Sequence, residues 1–158
     1  SDIVIHNEIA EEVSLILQGS AKLAKVKLTL KKQDNLPNLK CDHLRVKQMV
    51  LNLADNAIKY TNEGGEVEVE FEQLADKCIQ IKVTDTGIGI ARDDLERVMH
   101  PFTQVKPNSM VRNGEGIGLG LSVVNHLMDL HKGAFILESE LGKGTTAILK
   151  FPPERTVE

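Results

Sequence analysis

Apolar residues near the start of the chain recur at helical spacing: Ile9, Val13, Ile16, Leu17 and Ala24. Asn7 stands where an N-cap is needed, and Gly19 is a cost inside the run, so an uneven first helix is expected. Residues 26–30 alternate and predict a strand, and 34–37 form a turn. Asp42 then caps a second helix reaching about Tyr60, and 61–65 break the pattern. Strands near 66–71 and 78–84 could form a hairpin through 73–77. A short helix over 92–99 precedes residues 101–116, which show weak periodicity and hold Pro107, Asn108, Ser109, Asn113 and Gly114. An unstructured connection of that length is usually functional or mobile. A helix over 118–131, stopped by Gly133, leads to strands over 134–139 and 145–151, joined by the turn 140–144. The polar tail 152–158 is expected to fray. This order fits an α+β, two-layer α/β sandwich: five strands in one sheet, covered on one face by three helices.

Composition bounds the reading. At 158 residues with no internal repeat, residues 1–158 form a single domain able to bury a core. The apolar fraction of 41% and charged fraction of 27% are those of a soluble globular protein. A net charge of -4 argues against a nucleic-acid surface. No apolar run approaches the ~20 residues that span a bilayer. The acidic start, SDIVIHNEIAEE, has no signal-peptide pattern and is expected to lie inside a longer protein. Cys41 and Cys78 share no short motif and read as free thiols acting as small hydrophobes in a reducing compartment. His126 and His131 would point about 140° apart on a helix, so no metal site is expected from them.

The second helix carries the first chemical signal. With Asn52 at zero on the wheel, Gln48 falls at about -40°, Lys59 at about -20°, Asn56 at about 40° and Tyr60 at about 80°. Arg45 joins this stripe, while Val46, Val50, Leu53 and Ala57 lie opposite. Most polar stripes are simply solvated. Here two mid-helix asparagines, each a poor helix former, stand one turn apart between apolar Met49, Leu51 and Ile58, so the stripe is narrow and could face a cavity. An amide oxygen at Asn56 suits Mg²⁺, a hard cation that otherwise rests on phosphates and water. Lys59 could neutralise phosphate, and Tyr60 could stack on adenine.

Two glycine-rich segments carry the second signal. In 85–90 (DTGIGI), an aspartate ends a strand and glycines permit close backbone approach; its carboxylate could accept from an exocyclic amine such as adenine N6. Alone it could be a plain turn, and the aspartic-protease reading fails because only one copy is present. In 114–121 (GEGIGLGL), glycines run into a helix start, a ready anion site. No strand precedes it, against a dinucleotide fingerprint, and there is no P-loop.

Taken together, these motifs resemble the GHKL superfamily and its Bergerat ATP-binding fold, and most nearly the catalytic ATP-binding domain of bacterial sensor histidine kinases. The resemblance covers nearly the whole chain: residues 52–61 (NLADNAIKYT), 85–89 (DTGIG), 101–105 (PFTQV) and 116–121 (GIGLGL), in order, with 130–133 (LHKG) and 139–145 (SELGKGT) closing it. It implies a mixed sheet, with Asn56 as the Mg²⁺ ligand, Asn52 supporting the phosphate side, Lys59 on phosphate and Tyr60 against the base. It further implies that Asp85 accepts from adenine N6, that Gly87 and Gly89 shape the base pocket, and that 92–116 form an ATP lid hinged by Gly116, Gly118 and Gly120. Ile90, Phe102, Ile117 and Leu119, from the same boxes, are counted with the nucleotide-contacting residues.

The chain departs from the family pattern at Ile117, where a hydroxyl is frequent, and at Gln104, where many members have Arg. A γ-phosphate cation is then expected from Lys106 or Arg112, which join Asn52 and Lys59 as the catalytic candidates. His43 and His6 lack the context of the family's phosphoacceptor histidine, and Asp42 with Arg45 matches its Asp-x-x-Arg lead-in. The phosphoacceptor and dimerisation hairpin is therefore expected on a separate domain, leaving this domain a cytoplasmic monomer whose parent is either soluble or membrane-bound. The resemblance implies transfer of the ATP γ-phosphate to that histidine, with a response regulator as indirect partner. A GHKL ATPase, or a nucleotide-sensing module without chemistry, are the alternatives. Against hydrolysis, the position where several such ATPases carry a water-activating Glu is Asn52, which cannot be a general base.

Overall fold

The computed structural model describes residues 2–4, 6–99 and 117–157, with side chains over 8–95 and 121–155. In chain order these form β1 (Asp2–Val4), α1 (His6–Ala24), β2 (Lys27–Lys32), β3 (Asn38–Cys41), α2 (His43–Lys59), β4 (Glu66–Gln73), β5 (Ile79–Asp85), α3 (Arg92–Met99), α4 (Ile117–Leu130), β6 (Ala134–Glu140), β7 (Gly144–Phe151), a 3₁₀ turn (Pro153–Arg155) and β8 (Thr156–Val157).

The main sheet has the order β2-β4-β5-β7-β6 and is mixed: β2 runs parallel to β4, and every other pair is antiparallel. The period-2 pattern dictates its two faces. Val67, Val69 and Phe71 of β4, Ile79, Ile81 and Val83 of β5, and Ala147, Leu149 and Phe151 of β7 are buried on one face. The opposite face is polar and carries cross-strand ion pairs, Lys31–Glu68 at 3.2 Å and Lys82–Glu70 at 3.4 Å. The apolar face is covered by α1 against β2, α2 against β4 and β5, and α4 against β6. A fourth helix, α3, packs on α4 and β6.

Helix α2 is fixed at its start by Asp42, whose carboxylate accepts from the Arg45 amide at 3.1 Å. Its inner stripe, including Val46, Val50, Leu53 and Ala57, is buried. His131 ties this start to α4: its Nδ1–H donates to the Leu127 carbonyl at 2.8 Å, and Nε2 accepts from the Asp42 amide at 3.4 Å.

Several expectations need correction. Gly19 does not interrupt α1, because the helix keeps its buried stripe of Ile9, Val13, Leu17 and Ala21 and no atom lies within 4 Å of where a Cβ would stand. Asn7 is the second helical residue, not the cap. The tail does not fray: Thr156 and Val157 pair with β3, whose other side pairs with β1, making a second, three-stranded sheet that the hydrophobic pattern did not announce. The left-handed residue ending α4 is Lys132 (φ 59°), and the Gly133 amide returns to the Met128 carbonyl at 2.9 Å. Glycine is needed at 133 because a Cβ there would meet the Lys150 carbonyl.

Candidate functional site

A cavity partly open to solvent lies between the second half of α2, the ends of β5 and β7, and the loop after β5. Its walls are mostly apolar, with Leu53 and Ala57 from α2, Val83 and Ala147 from the sheet, and Leu121 from the first part of α4. Four polar side chains interrupt them: Asn56, Tyr60, Asp85 and Thr145. An apolar pocket with a few convergent polar groups is how proteins hold an organic ligand in one orientation.

The asparagine stripe meets this cavity through Asn56. Its Nδ2 donates to Asn52 Oδ1 at 3.3 Å, and Asn56 Oδ1 takes no hydrogen bond among the described residues. Asn52 thus stands behind Asn56 and sets its orientation. Lys59 lies elsewhere on the helix surface, half-exposed and paired with Asp55 at 3.4 Å. Arg45 and Gln48 continue the stripe away from the cavity and bond each other at 3.4 Å.

Asp85 is positioned by backbone. Its Oδ1 accepts from the Gly87 amide at 2.8 Å and from the Thr145 amide at 3.2 Å. Oδ2 takes no hydrogen bond among the described residues and is the acceptor left for a ligand. Burial pushes the Asp85 carboxyl above its ordinary value, against the opposing pull of those two amides.

The loop after Asp85 is braced on two sides. The Ile88 amide donates to the Tyr60 carbonyl at 3.0 Å, tying the loop to the end of α2. A side chain at Gly87 would strike that same carbonyl. Gly89 adopts φ +75°, and a Cβ there would strike the Glu140 carbonyl. The Ile90 amide donates to Ser139 Oγ at 2.7 Å, and the Gly142 amide to the Ile88 carbonyl at 2.7 Å. The β6–β7 turn is therefore the outer support of the glycine loop.

Of the residues singled out in the sequence, the fold gathers Asn56, Tyr60, Asp85, Gly89 and Ile90 on the cavity wall. Asn52 and Gly87 stand directly behind it, and Lys59 does not line it. Ile117, Gly118, Leu119 and Gly120 form the first turn of α4, whose neighbour Leu121 lines the cavity, so this helix start borders the site. Phe102, Lys106, Arg112 and Gly116 lie outside the described residues. Sequence reasoning assigned no role to Thr145 or Ser139, although both fall in the 139–145 motif. Only the pairing of Asp85 with Thr145 across β5 and β7 reveals them.

Fold and site define a GHKL-type, ATP-binding Bergerat domain. Residues 41–155 match the family described as histidine kinase-, DNA gyrase B-, and HSP90-like ATPase, and the chain belongs to that family. It is 38% identical over 148 residues to the non-motile and phage-resistance protein of Caulobacter vibrioides, covering 92% of this chain and 17% of that protein. It is 32% identical over 164 residues to the cell-division control histidine kinase PdhS of Brucella anthropi, covering 98% of this chain and 15% of the relative. Full-length ShkA, whose crystal structure was determined in complex with AMPPNP, superimposes with a TM-score of 0.82 at 28% identity, over 99% of this chain and 31% of that one. The chain thus spans only a small part of the relatives it matches. Among the described residues, no helix is long and apolar enough to cross a membrane.

Proposed function

We propose that this domain binds ATP with Mg²⁺ and donates the γ-phosphate to a histidine on a separate dimerisation and phosphoacceptor hairpin of its parent, a sensor histidine kinase. The observation that carries the reading is the pairing, on one apolar cavity, of a half-buried carboxylate, one oxygen of which takes no hydrogen bond among the described residues, with an amide oxygen oriented by its neighbour. Asp85 Oδ2 would receive the exocyclic amine of adenine while Tyr60 flanks the ring. Asn56 Oδ1 fits a hard cation, because Asn56 Nδ2 is already committed to Asn52. Among the described residues no group of three His, Cys, Asp or Glu could hold a metal by itself, which suits an ion carried on phosphate oxygens. The ion would supply charge neutralisation when bound. The α4 start offers backbone N–H groups to phosphate, and Lys106 or Arg112 would supply the cation there.

Transfer to a protein is favoured over hydrolysis because Asn52, engaged with Asn56, has no basic group to activate water. In this reading a response regulator is the eventual acceptor, and the domain works as a monomer on the cytoplasmic side. The test mixes this chain with γ-labelled ATP, Mg²⁺ and the parent's hairpin. Acid-labile label on the hairpin is the expected result. Tight ATP binding without label would leave only a nucleotide-sensing module, and rapid phosphate release without the hairpin would make it an ATPase.

A further inference from the structure

The hydroxyl groups of Ser139 and Thr145 have one arrangement of protons that satisfies every contact they make. Ser139 Oγ lies 2.7 Å from the Ile90 amide, 2.9 Å from the Gly144 carbonyl and 2.7 Å from Thr145 Oγ1. The amide can only donate and the carbonyl can only accept. Ser139 therefore accepts from Ile90 and spends its single proton on Gly144. The contact with Thr145 is then a hydrogen bond only if Thr145 is its donor. Once Thr145 has given its proton to Ser139, its oxygen presents lone pairs alone to the cavity it lines. Beside it stands Asp85, whose Oδ1 holds the Thr145 amide at 3.2 Å and whose Oδ2 is also an acceptor. Asp85 and Thr145 together thus present two acceptors to the cavity, and the Thr145 hydroxyl offers it no proton.

We propose that Ser139 is a positioning residue for nucleotide selection: by taking the Thr145 proton, it leaves Thr145 beside Asp85 as an acceptor only and so selects a purine with an amine at position 6 over one with a carbonyl there. This rests on the ATP-binding reading above and adds to it how adenine is told from a 6-oxo base. An adenine amine offers two hydrogens to two acceptors. A 6-oxo purine sets its carbonyl against them, and a misplaced acceptor facing half-buried acceptors loses the hydrogen bond and gains repulsion.

The test measures ATP and inosine triphosphate affinity by calorimetry for the unaltered chain, Ser139→Ala, Ser139→Thr and Thr145→Val. In Ser139→Ala the Thr145 proton is released to face the cavity, and the preference for ATP over inosine triphosphate is expected to fall roughly 3- to 10-fold, the worth of one neutral hydrogen bond. Ser139→Thr keeps the hydroxyl and the preference. Thr145→Val keeps the backbone bond to Asp85, removes an acceptor, and is expected to lose both ATP affinity and preference. Equal weakening for the two nucleotides in Ser139→Ala and Thr145→Val would mean a mere brace for the loop and would overturn the proposal, as would no change in either. Should the unaltered chain bind neither nucleotide, the ATP reading itself fails, an outcome distinct from these. Circular dichroism identifies a misfolded variant, in which case the other substitution decides.

Discussion

Asp85→Asn tests the base pocket with the least disturbance to the fold. Asparagine is isosteric with aspartate, and its oxygen can keep both backbone donors, the Gly87 amide at 2.8 Å and the Thr145 amide at 3.2 Å. Holding them forces the new NH₂ into the place of Oδ2, so a donor faces the adenine amine where an acceptor stood. A hydrogen bond to a charged acceptor contributes about 1.5–3 kcal/mol. ATP affinity should therefore fall roughly 10- to 150-fold. Binding of inosine triphosphate, whose 6-carbonyl can accept from the new amide, should fall less or rise. Without nucleotide the thermal midpoint should hold or increase, because burial disfavours the charged carboxylate that the substitution removes. The pH dependence gives a second readout. Burial raises the folded-state pKa of Asp85 above its ordinary 3.8. The folded chain then holds this proton more tightly than the unfolded one, so the stability it contributes is full below the ordinary value and is lost as pH rises through the raised value. ATP affinity runs the other way, improving over that window as the carboxylate ionises. Calorimetry with both nucleotides across pH, with melts of the nucleotide-free protein, covers all of this. An Asp85→Asn variant that binds ATP within two-fold of the parent, with the same preference and the same pH slope, would refute the assignment.

Asn56→Ala should lower Mg²⁺-supported ATP affinity on the order of 10-fold or more while leaving EDTA-treated binding nearly unchanged; an equal loss in both conditions would remove Asn56 from the metal. Gly89→Ala forces an L-residue into φ +75° and a Cβ onto the Glu140 carbonyl, so stability should drop by about 2–3 kcal/mol, read as a lower denaturation midpoint. An unchanged midpoint would mean that the β6–β7 turn does not hold the loop. Desolvation pushes the buried Cys41 thiol up to about 12, and the half-buried Cys78 thiol is also raised, by burial and by its neighbour Asp76. A thiol reagent at neutral pH should modify Cys78 in the native protein and Cys41 only after denaturation; two equally fast native phases would contradict this packing.

The main sheet and its helices were legible because period-2 and period-3.6 patterns change at each boundary: Arg92–Met99 matched the expected limits, β4 ran two residues past them and β5 was shifted by one. The small sheet was not legible, because β1 and β8 have only three and two residues, too short to show a period. What makes them strands is β3 between them. The site divides in the same way. Asn56 and Asp85 stand out in sequence because a mid-helix amide and a strand-end carboxylate each carry a local cost. Lys59 also falls on the polar stripe, but side chains at similar wheel angles differ in height along the axis, and Lys59, beside Asp55, does not line the cavity. Thr145 and Ser139 stayed hidden because neither hydroxyl is unusual on a strand. Their significance depends on register, which couples residues 60 apart in the chain.

That register also explains why a cavity exists here. Opposite pairs along β5 and β7 are Ile79 with Phe151, Ile81 with Leu149, Val83 with Ala147, and Asp85 with Thr145. The inward side chains shrink step by step along this ladder and become polar at its end. Across the cavity α2 contributes Ala57 in line with Leu53, so the opposing surface also recedes. At the wide end of the taper Phe151, Leu149 and Ile81 fill the space between layers completely. At the narrow end two alanines and a valine leave it open, and no water-filled gap of that polarity would be stable without the hydrogen-bonding groups that line it. The pocket is thus a continuation of the core in which ligand replaces side chain. Volume-adding changes at Ala57 or Ala147 therefore act on binding before they act on folding, while changes at Leu149 or Phe151 do the reverse.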